Sequence, residues 1–367
     1  MSKVRHVLGI SGGKDSTALA IYLRKKYPNL EIEYYFCDTG KELPETYSLL
    51  NGLESFLGKK IKRLLAAPNS PIDPFDHFID LYRGFIPSSN ARWCTQKLKL
   101  EPFERFVGDD PVISYVGIRG DELREGYISK KSNIQSIFPF RKNIWSEDVI
   151  NKVMNNRNIE LLCDYYNDIK CSYNIKNYLE ILKRPISFNF VQSQKLSLLM
   201  KLGIKEFNKV VFRFLKTTDY PLAKEEHFPL IENNEILIKE DIFKILKESN
   251  VGIPQYYNLI EFEVGGEKGF YNRSRSGCFF CFFQQKIEWV WLYENHNELF
   301  LKAIEYEKEG YTWMQDESLL ELVQPDRVKQ IKEYHLKKSA QYSSKKSEYL
   351  LDILDEEDER GCAACFI

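Results

Sequence analysis

The chain has 367 residues, 43% of them hydrophobic, which is enough to build a substantial core in one enlarged domain or two domains. The formal net charge of −1 excludes a global basic field for binding nucleic acid, although a local basic patch stays open. No apolar run is long enough to span a bilayer, and no signal-peptide pattern is present, so we expect a cytoplasmic protein without membrane attachment. Because disulfides are rare in that compartment, the eight cysteines favour metal or redox chemistry.

The most informative pattern of the chain lies near its first residues. An apolar strand, Val4 to Ile10, runs directly into a glycine-rich turn, and apolar residues at helical spacing follow. Glycines let the backbone approach an anion closely, and the start of a helix presents unpaired amide groups. We therefore predict an anion-binding loop that consists of Ser11, Gly12, Gly13, Lys14, Asp15 and Ser16.

This loop differs from two common phosphate-binding motifs. The four-residue spacer of the Walker pattern is missing, and so is the third glycine of the dinucleotide fingerprint. The phrase Ser-Gly-Gly-Lys-Asp-Ser instead resembles the PP-loop of ATP pyrophosphatases, enzymes that cleave ATP between its α- and β-phosphates. The resemblance implies ATP and Mg2+ as ligands, with Lys14 and Asp15 in catalytic positions. The alternative is an ordinary strand-to-helix turn.

Strand and helix patterns alternate over the first 120 residues. Further strands are predicted at Glu31–Cys37, Ile61–Ala66 and Val112–Ile118, and a helix is predicted at Pro44–Leu57. This order predicts a Rossmann-like parallel α/β sheet, which the PP-loop resemblance makes one of the adenine nucleotide alpha-hydrolase type. Ligands of such sheets bind at the carboxyl ends of strands, where the loop and Asp38 fall.

The rest of the chain divides into three further segments. We predict a nucleotide-binding domain over residues 1–150, a helical insertion over 151–227 and a C-terminal helical, cysteine-containing region over 228–350. The last region includes a long helical stretch from Lys286 to Glu309. Residues 351–367 form an acidic tail with a final cysteine pair.

Asp38 stands at the end of the second predicted strand. An aspartate in this position can hold a ribose hydroxyl or a magnesium ion. The alternative is that it only forms a turn and caps the following helix. The phrase Asp-Thr-Gly-x-x-x-Pro-Glu-Thr-Tyr, which starts at Asp38, resembles the second motif of the phosphoadenosine phosphosulfate (PAPS) reductase family. Three more phrases extend that resemblance over residues 5–150: Arg92–Phe103, Gly117–Arg124 and Trp145–Val149.

Two departures from the reductases place the resemblance in one branch of the family. Sulfonucleotide reductases commonly degrade the lysine-bearing loop, whereas this chain keeps it whole and is expected to split ATP. Assimilatory reductases carry a tandem Cys-Cys where this chain has only Cys94. Both points resemble the DndC/SspD-like ATP pyrophosphatases of DNA phosphorothioation systems.

Three cysteines are candidate metal ligands. Cys278 and Cys281 can offer two thiolates to one metal or cluster. The resemblance adds Cys94 and implies a 4Fe–4S cluster, with zinc as the alternative and a buried aromatic core around the pair as the plain structural explanation. The fourth ligand stays open: an unliganded iron, or a cysteine from the set Cys163, Cys171, Cys362 and Cys365. The role of the last two is also open.

Two arginines and a glycine complete the expected nucleotide site. Arg119 and Arg124 are candidates to clamp phosphates during cleavage, and Gly117 is expected to line the nucleotide. The alternative for both arginines is a surface ion pair with Asp121 or Glu122. A basic and aromatic set before the cysteine pair predicts either a nucleic-acid contact or a solvated loop: Phe270, Tyr271, Arg273 and Arg275.

The resemblance implies an ATP pyrophosphatase and sulfurtransferase that adenylates a substrate, the DNA backbone, and supports DNA phosphorothioation in anti-phage defence. The resemblance implies three kinds of partner: a cysteine desulfurase as the sulfur donor, DNA, and DNA-modification subunits. The alternatives are a PAPS or APS reductase, a tRNA thiolase, and a nucleotide-sensing subunit of a defence complex with little turnover.

Overall fold

The computed structural model describes residues 3–122, 129, 131–169, 175–308 and 310–344. Four residues named above lie outside these ranges: Arg124, Cys171, Cys362 and Cys365. The acidic tail lies outside them as well.

A five-stranded sheet with the order β3-β2-β1-β4-β5 forms the centre of a mixed α/β fold. The pairs β2·β3, β1·β4 and β4·β5 are parallel, and a separate antiparallel hairpin pairs β6 with β7. The Rossmann-like fold class predicted from the strand and helix alternation is confirmed. The strands are β1 (Arg5–Gly9), β2 (Ile32–Asp38), β3 (Ile61–Leu65), β4 (Val112–Tyr115), β5 (Ile134–Ile137), β6 (Ile260–Val264) and β7 (Glu267–Tyr271).

Helices flank the sheet and make up most of the remaining described chain. Proline at the first position starts α2 where predicted, because its missing amide hydrogen is unpaired there in any case. The helices are α1 (Lys14–Lys26), α2 (Pro44–Leu57), α3 (Pro74–Leu81), α4 (Trp93–Thr95), α5 (Glu101–Val107), α6 (Glu147–Val153), α7 (Ile159–Asp168), α8 (Ile175–Lys183), α9 (Gln192–Leu202), α10 (Ile204–Leu215), α11 (Lys239–Glu248), α12 (Lys286–Asn295), α13 (Asn297–Glu305), α14 (Leu319–Leu322) and α15 (Pro325–Ser344).

The chain divides into two compact units. The first contains the segment that ends at Gly9, then Ala18–Glu33 and Val107–Lys244. The second contains Ile10–Thr17, Tyr34–Phe106 and the chain from Ile245 onward. The domain boundaries predicted from the sequence at residues 150, 227 and 350 stay a prediction.

The first unit is built on β1, β4 and β5 and on the helices α7 to α10. These helices fall in the segment that the sequence analysis predicts as a helical insertion, and that insertion stays a prediction. Tyr166 of α7 stacks on Tyr178 of α8 with ring centroids 4.5 Å apart. The buried indole N–H of Trp145 donates to Asn208 Oδ1 on α10 at 2.8 Å, which joins the start of α6 to the helical segment.

The second unit has an aromatic core that surrounds the cysteine pair. Phe280, between the two cysteines, packs 4.5 Å from Phe75 and stacks 4.6 Å from Trp313, centroid to centroid. Phe279 and Phe280 are both buried in this core. Burial of each large aromatic side chain stabilises the fold by about a few kcal/mol. These aromatic residues therefore fix the path of the Cys278–Cys281 loop, called the cysteine loop below.

The long helix predicted from Lys286 onward is wrong in one respect, because the structure contains two helices there. α12 ends at Asn295, and α13 begins at Asn297. His296 between them has φ −139° and ψ 57°, outside the helical region. Asparagine and histidine are weak helix formers, and the imidazole Nε2 lies 3.2 Å from Glu45 Oε1.

None of the helices in the described ranges has the length and apolarity needed to cross a membrane.

A partly buried ion cluster in the second unit gives a prediction about acid stability. The Arg327 guanidinium donates to both Glu317 oxygens at 2.7 Å and, with Lys286, lowers the pKa of Glu317 to about 2. A lowered carboxyl pKa stabilises the fold above the unfolded value near 4.5, and this stabilisation is lost as the pH falls from there toward 2. We expect Glu317→Gln to lower the free energy of unfolding at pH 7 by about 1–2 kcal/mol, a figure reduced for partial exposure of the two cations.

Urea unfolding at pH 7 and at several values down to pH 2.5, chosen to cross this interval, measures the effect. The difference between wild type and variant should shrink below about pH 4.5. Glu298→Gln, at an exposed carboxylate of α13, is the control and should change little. An equal difference at all pH values would contradict the account.

Candidate active site

The predicted anion-binding loop joins β1 to α1, with a tight backbone turn at Gly12. Gly12 has φ +74°, a region that side chains disfavour. A Cβ atom at this position would lie 2.3 Å from Thr46 Cγ2, in the first turn of α2. Both the conformation and the close approach therefore require glycine at position 12.

The two serines of the loop hold its shape by hydrogen bonds to each other and to the backbone. Ser16 Oγ accepts from the Ser11 amide at 3.1 Å and lies 3.1 Å from Ser11 Oγ. The Gly13 amide donates to Ser11 Oγ at 3.4 Å. The hydroxyls thus stabilise the turn that the glycines make possible.

Lys14 is the buried cation of the loop, with 6% of its surface exposed. Its Nζ lies 3.2 Å from Asp15 Oδ2 and 5.4 Å from the centre of the Tyr257 ring. The Lys14 amide donates to the Tyr257 hydroxyl at 3.4 Å. This amide opens α1, and amides in that position are the groups that bind phosphate oxygens, so Tyr257 OH stands where a phosphate oxygen would accept.

Residues from a distant part of the chain cover the loop. The Tyr256 hydroxyl donates to the Gly12 carbonyl at 2.8 Å. Ser276 Oγ lies 2.6 Å from the point where a Gly13 Cβ would stand. The sequence analysis missed Tyr256, Tyr257 and Ser276, because tyrosine and serine far along the chain carry no signal for contact with the loop.

Asp38 ends β2 and makes a tight turn with its own backbone. Its Oδ1 accepts from the Gly40 amide and from the Tyr47 hydroxyl, both at 2.9 Å. Arg63 Nη1 lies 3.5 Å from Oδ2. This is the turn geometry that the sequence analysis held as the alternative, and the ribose or magnesium role of Asp38 stays a prediction.

Glu42 is a buried carboxyl group that the sequence analysis missed. It accepts from Thr39 Oγ1 at 2.7 Å and from the Lys41 amide and the Tyr47 hydroxyl, both at 3.2 Å. Burial, followed by the nearby Asp38 carboxylate, raises the pKa of Glu42 to about 7. The second unit therefore contains a carboxyl group poised to change its charge near neutral pH.

Cys278 is anchored beside Glu42. Its Sγ lies 3.3 Å from Thr39 Oγ1, and its backbone forms an antiparallel bridge with Glu42. The next residue, Phe279, donates its amide to the Lys41 carbonyl at 2.7 Å. Burial, and then the Glu42 carboxylate, raise the pKa of the Cys278 thiol to about 12, which disfavours the thiolate in the absence of a metal.

The other predicted metal ligands occupy the same unit. Cys94 lies in α4 and packs, like Cys278, against the aromatic core, while Cys281 is partly buried. Across the described ranges, no three His, Cys, Asp or Glu side chains are gathered in a geometry that would hold a metal ion. None of the five described cysteines, including Cys163 of α7, is in a disulfide. The described side chains do not present a preformed metal centre.

Arg119 belongs to the first unit and is almost completely buried, with 1% of its surface exposed. Its guanidinium pairs with Asp121 Oδ1 at 3.0 Å and with Glu122 Oε1 at 2.7 Å. These are the two partners of the alternative explanation, although the pair with Glu122 is buried and the Asp121 carboxylate is only partly exposed. Gly117 is buried as well. The phosphate-clamp role of Arg119 stays a prediction.

The basic and aromatic set before the cysteine pair is not a surface patch. Phe270 is half exposed, but Tyr271 and Arg273 are buried. Tyr271 donates its hydroxyl to Glu294 Oε2 at 2.6 Å. The prediction that these side chains jointly contact nucleic acid or form a solvated loop is wrong for Tyr271 and Arg273, because strand alternation in β7 turns Tyr271 inward and Arg273 enters the core.

The loop lies at the carboxyl end of β1 in a parallel α/β sheet, which is the position where ligands bind in open sheets of this kind. Residues 5–161, less than half of the chain, match the family model of the phosphoadenosine phosphosulfate reductase domain. That segment is therefore similar to the domain of this family, and the rest of the chain lies outside the match.

Curated relatives match over parts of their length. An uncharacterised protein of Methanocaldococcus jannaschii is 32% identical over 38% of this chain and 30% of its own length. An uncharacterised nin region protein of Escherichia phage lambda is 29% identical over 32% of this chain and 49% of its own. The chain thus spans less than half of either relative. A phosphoadenylyl-sulfate reductase structure from Candida auris is 18% identical over 39% of this chain and 66% of that chain, with a TM-score of 0.29.

The tight turn at Gly12 gives a prediction with a matched control. Gly12→Ala should destabilise the protein more than Gly58→Ala, because only Gly12 meets a neighbouring side chain. Gly58, at the end of α2, has φ +63° and nothing within 4 Å of a Cβ atom. Its replacement measures the backbone strain alone, about 1 kcal/mol. Thermal unfolding of both variants checks this, and equal losses would contradict a close approach at Gly12.

Proposed function

We propose that the protein is an ATP pyrophosphatase that serves sulfur transfer. The observation that carries the proposal is the intact loop of Ser11–Ser16, with the buried Lys14 cation and the start of α1 at one point. A loop of this kind suits the β- and γ-phosphates of a nucleoside triphosphate, which sulfonucleotides lack. The domain match over residues 5–161 supports chemistry on adenosine nucleotides.

In the proposed reaction an oxygen of the acceptor attacks the α-phosphorus of ATP, and the bond to the β-phosphate breaks. The amides of Gly12, Gly13 and Lys14 donate to the leaving pyrophosphate, and the Lys14 ammonium and Mg2+ neutralise its developing charge. Asp38 orients the ribose or the metal. Tyr257 leaves the Lys14 amide when the nucleotide enters, because one N–H cannot serve both acceptors at full strength.

A thiol reductant releases the persulfide sulfur of the donor as hydrosulfide. Hydrosulfide then attacks the adenylated phosphorus of the acceptor, so that a P–S bond forms as the P–O bond to AMP breaks and AMP leaves. We propose the DNA backbone as the acceptor, a cysteine desulfurase as the sulfur donor and DNA-modification subunits as partners in phosphorothioation and anti-phage defence. A 4Fe–4S cluster or zinc on Cys94, Cys278 and Cys281 would hold sulfur as a metal-bound ligand. The described cysteines are not gathered as a set of metal ligands. None of the proposed reaction steps therefore depends on the metal.

A PAPS or APS reductase is the second candidate, and the domain match over residues 5–161 favours it. The two functions differ in their nucleotide. A reductase binds a sulfonucleotide without β- and γ-phosphates, and the lysine-bearing loop of Ser11–Ser16 would then have no terminal phosphates to bind. Competition between ATP and PAPS for the purified protein separates them.

The first functional prediction concerns Lys14. Lys14→Ala should abolish the release of AMP and pyrophosphate from ATP, because the leaving group loses its cation. Lys62→Ala is the matched control, since Lys62 also lies over an aromatic ring, 4.7 Å from the centre of Phe106, but is exposed. Separation of labelled products measures turnover. ADP and phosphate as products, or full activity in Lys14→Ala, would contradict the proposal.

The second prediction concerns the metal. Protein reconstituted anaerobically with iron and sulfide should absorb at roughly 400 nm, the wavelength of thiolate-to-iron charge transfer in 4Fe–4S proteins. Cys278→Ser should lose this absorbance and the bound iron, whereas Cys163→Ser, in the other unit, should keep both. Stoichiometric zinc without iron would favour the alternative metal, and absence of both would contradict a metal centre.

A further inference from the structure

Arg273 is a buried cation directly beside the cysteine pair, with 3% of its surface exposed. Its Nη2 donates to the Cys278 carbonyl at 3.2 Å, and its Nη1 donates to the Phe279 carbonyl at 3.4 Å. In the part of the chain that the structure describes, its Nε is buried without a hydrogen-bond partner, and its charge helps to lower the pKa of Glu45. The guanidinium therefore donates its hydrogen bonds to the backbone of the cysteine loop.

The backbone of Arg273 is connected by hydrogen bonds to the anion-binding loop of Ser11–Ser16, called the phosphate loop below. The Arg273 amide donates to the Tyr256 carbonyl at 2.9 Å, and the Tyr256 hydroxyl donates to the Gly12 carbonyl at 2.8 Å. Tyr256 is as completely buried as Arg273. Three hydrogen bonds thus link Gly12 to Tyr256, Tyr256 to Arg273, and Arg273 to Cys278. All four residues belong to the second unit.

A second contact fixes the same segment. Ser274 donates its amide and its hydroxyl to Glu288 Oε1, at 2.7 and 2.9 Å. Ser276, two residues further on, stands against Gly13. The chain between Arg273 and Cys278 is therefore held both by α12 and by the phosphate loop.

Buried hydrogen bonds from a charged group to backbone carbonyls are among the stronger ones in proteins, and loss of the donor leaves the carbonyls unpaired. The planar guanidinium reaches two successive carbonyls at once. A lysine ammonium is a point charge and cannot reproduce this fork. Replacement of Arg273 by lysine thus keeps the charge and removes the geometry.

We infer that Arg273 is a positioning residue that holds the Cys278–Cys281 loop in place and, through Tyr256, couples that loop to nucleotide in the phosphate loop. The coupling half rests on the proposed function. A ligand that shifts the Gly12 carbonyl changes the Tyr256 hydrogen bond, and the cysteine loop then responds to the nucleotide.

The experiment measures the alkylation rate of each cysteine by mass spectrometry in the full chain, purified anaerobically, with and without ATP. Without nucleotide, Arg273→Lys should raise the labelling rates of Cys278 and Cys281 by about tenfold or more, since loss of hydrogen bonds to a charged group shifts a local opening equilibrium by at least that factor. Labelling of Cys163, in the first unit, should not change. Wild-type rates at the pair in Arg273→Lys would overturn the positioning role.

Tyr256→Phe tests the coupling and keeps the buried ring. In wild type, ATP should change the labelling rate of Cys278, and Tyr256→Phe should lose this response while it still binds ATP in equilibrium dialysis. Tyr271→Phe, which removes a buried hydroxyl bonded to Glu294 and not to the loop, is the control and should keep the response. A response that persists in Tyr256→Phe would overturn the coupling.

The two proposals fail in different ways. If wild type does not bind ATP in dialysis, the proposed function and the coupling both fall, and the nucleotide-free labelling of Arg273→Lys still decides the positioning role. If Arg273→Lys has a lower thermal midpoint than Arg275→Lys and labels at every cysteine, the arginine serves the fold in general, and a specific role at the pair is overturned.

Discussion

The hydrogen bond from the Tyr256 hydroxyl to the Gly12 carbonyl is the contact that joins the loop of Ser11–Ser16 to the C-terminal part of the chain. It lets a turn that only glycine can adopt pack against a buried aromatic residue from the far end of the chain. The same residue accepts from the Arg273 amide, so one side chain and its backbone serve both the phosphate loop and the cysteine loop. The loop of Ser11–Ser16 and the cysteine-containing elements of the second unit therefore form one packed structure.

Charge is distributed unevenly in this unit. Lys14 is buried beside Asp15, and Arg273 is buried beside backbone carbonyls. Glu42 and Cys278 form a separate group in which burial raises both pKa values and favours the neutral forms. A cation or a metal near these two groups would reverse that preference, whereas the proposed phosphate site lies near Lys14. The proposed phosphate site is thus distinct from the proposed metal-binding thiols.

Local patterns predicted most of the α/β fold. The run from Val4 to Ile10, the proline at position 44 and the glycine-rich turn each act over a few residues, and β1, α2 and the loop lie where expected. The sequence also indicated the plain alternatives for Asp38 and Arg119, whose neighbours in the chain turned out to be their partners. It could not indicate Tyr256, Tyr257 or Glu42, because their roles arise from contacts between distant segments or from burial. Nor did it predict the break at His296, where a local choice between continued helix and a turn is settled by tertiary contact.

The most direct measurement is a crystal structure of the protein with a non-hydrolysable ATP analogue and Mg2+. The account predicts the β- and γ-phosphates on the amides of Gly12, Gly13 and Lys14, with the Tyr257 hydroxyl moved away from Lys14. A structure that keeps Tyr257 on the Lys14 amide and holds the nucleotide elsewhere, or not at all, would contradict it.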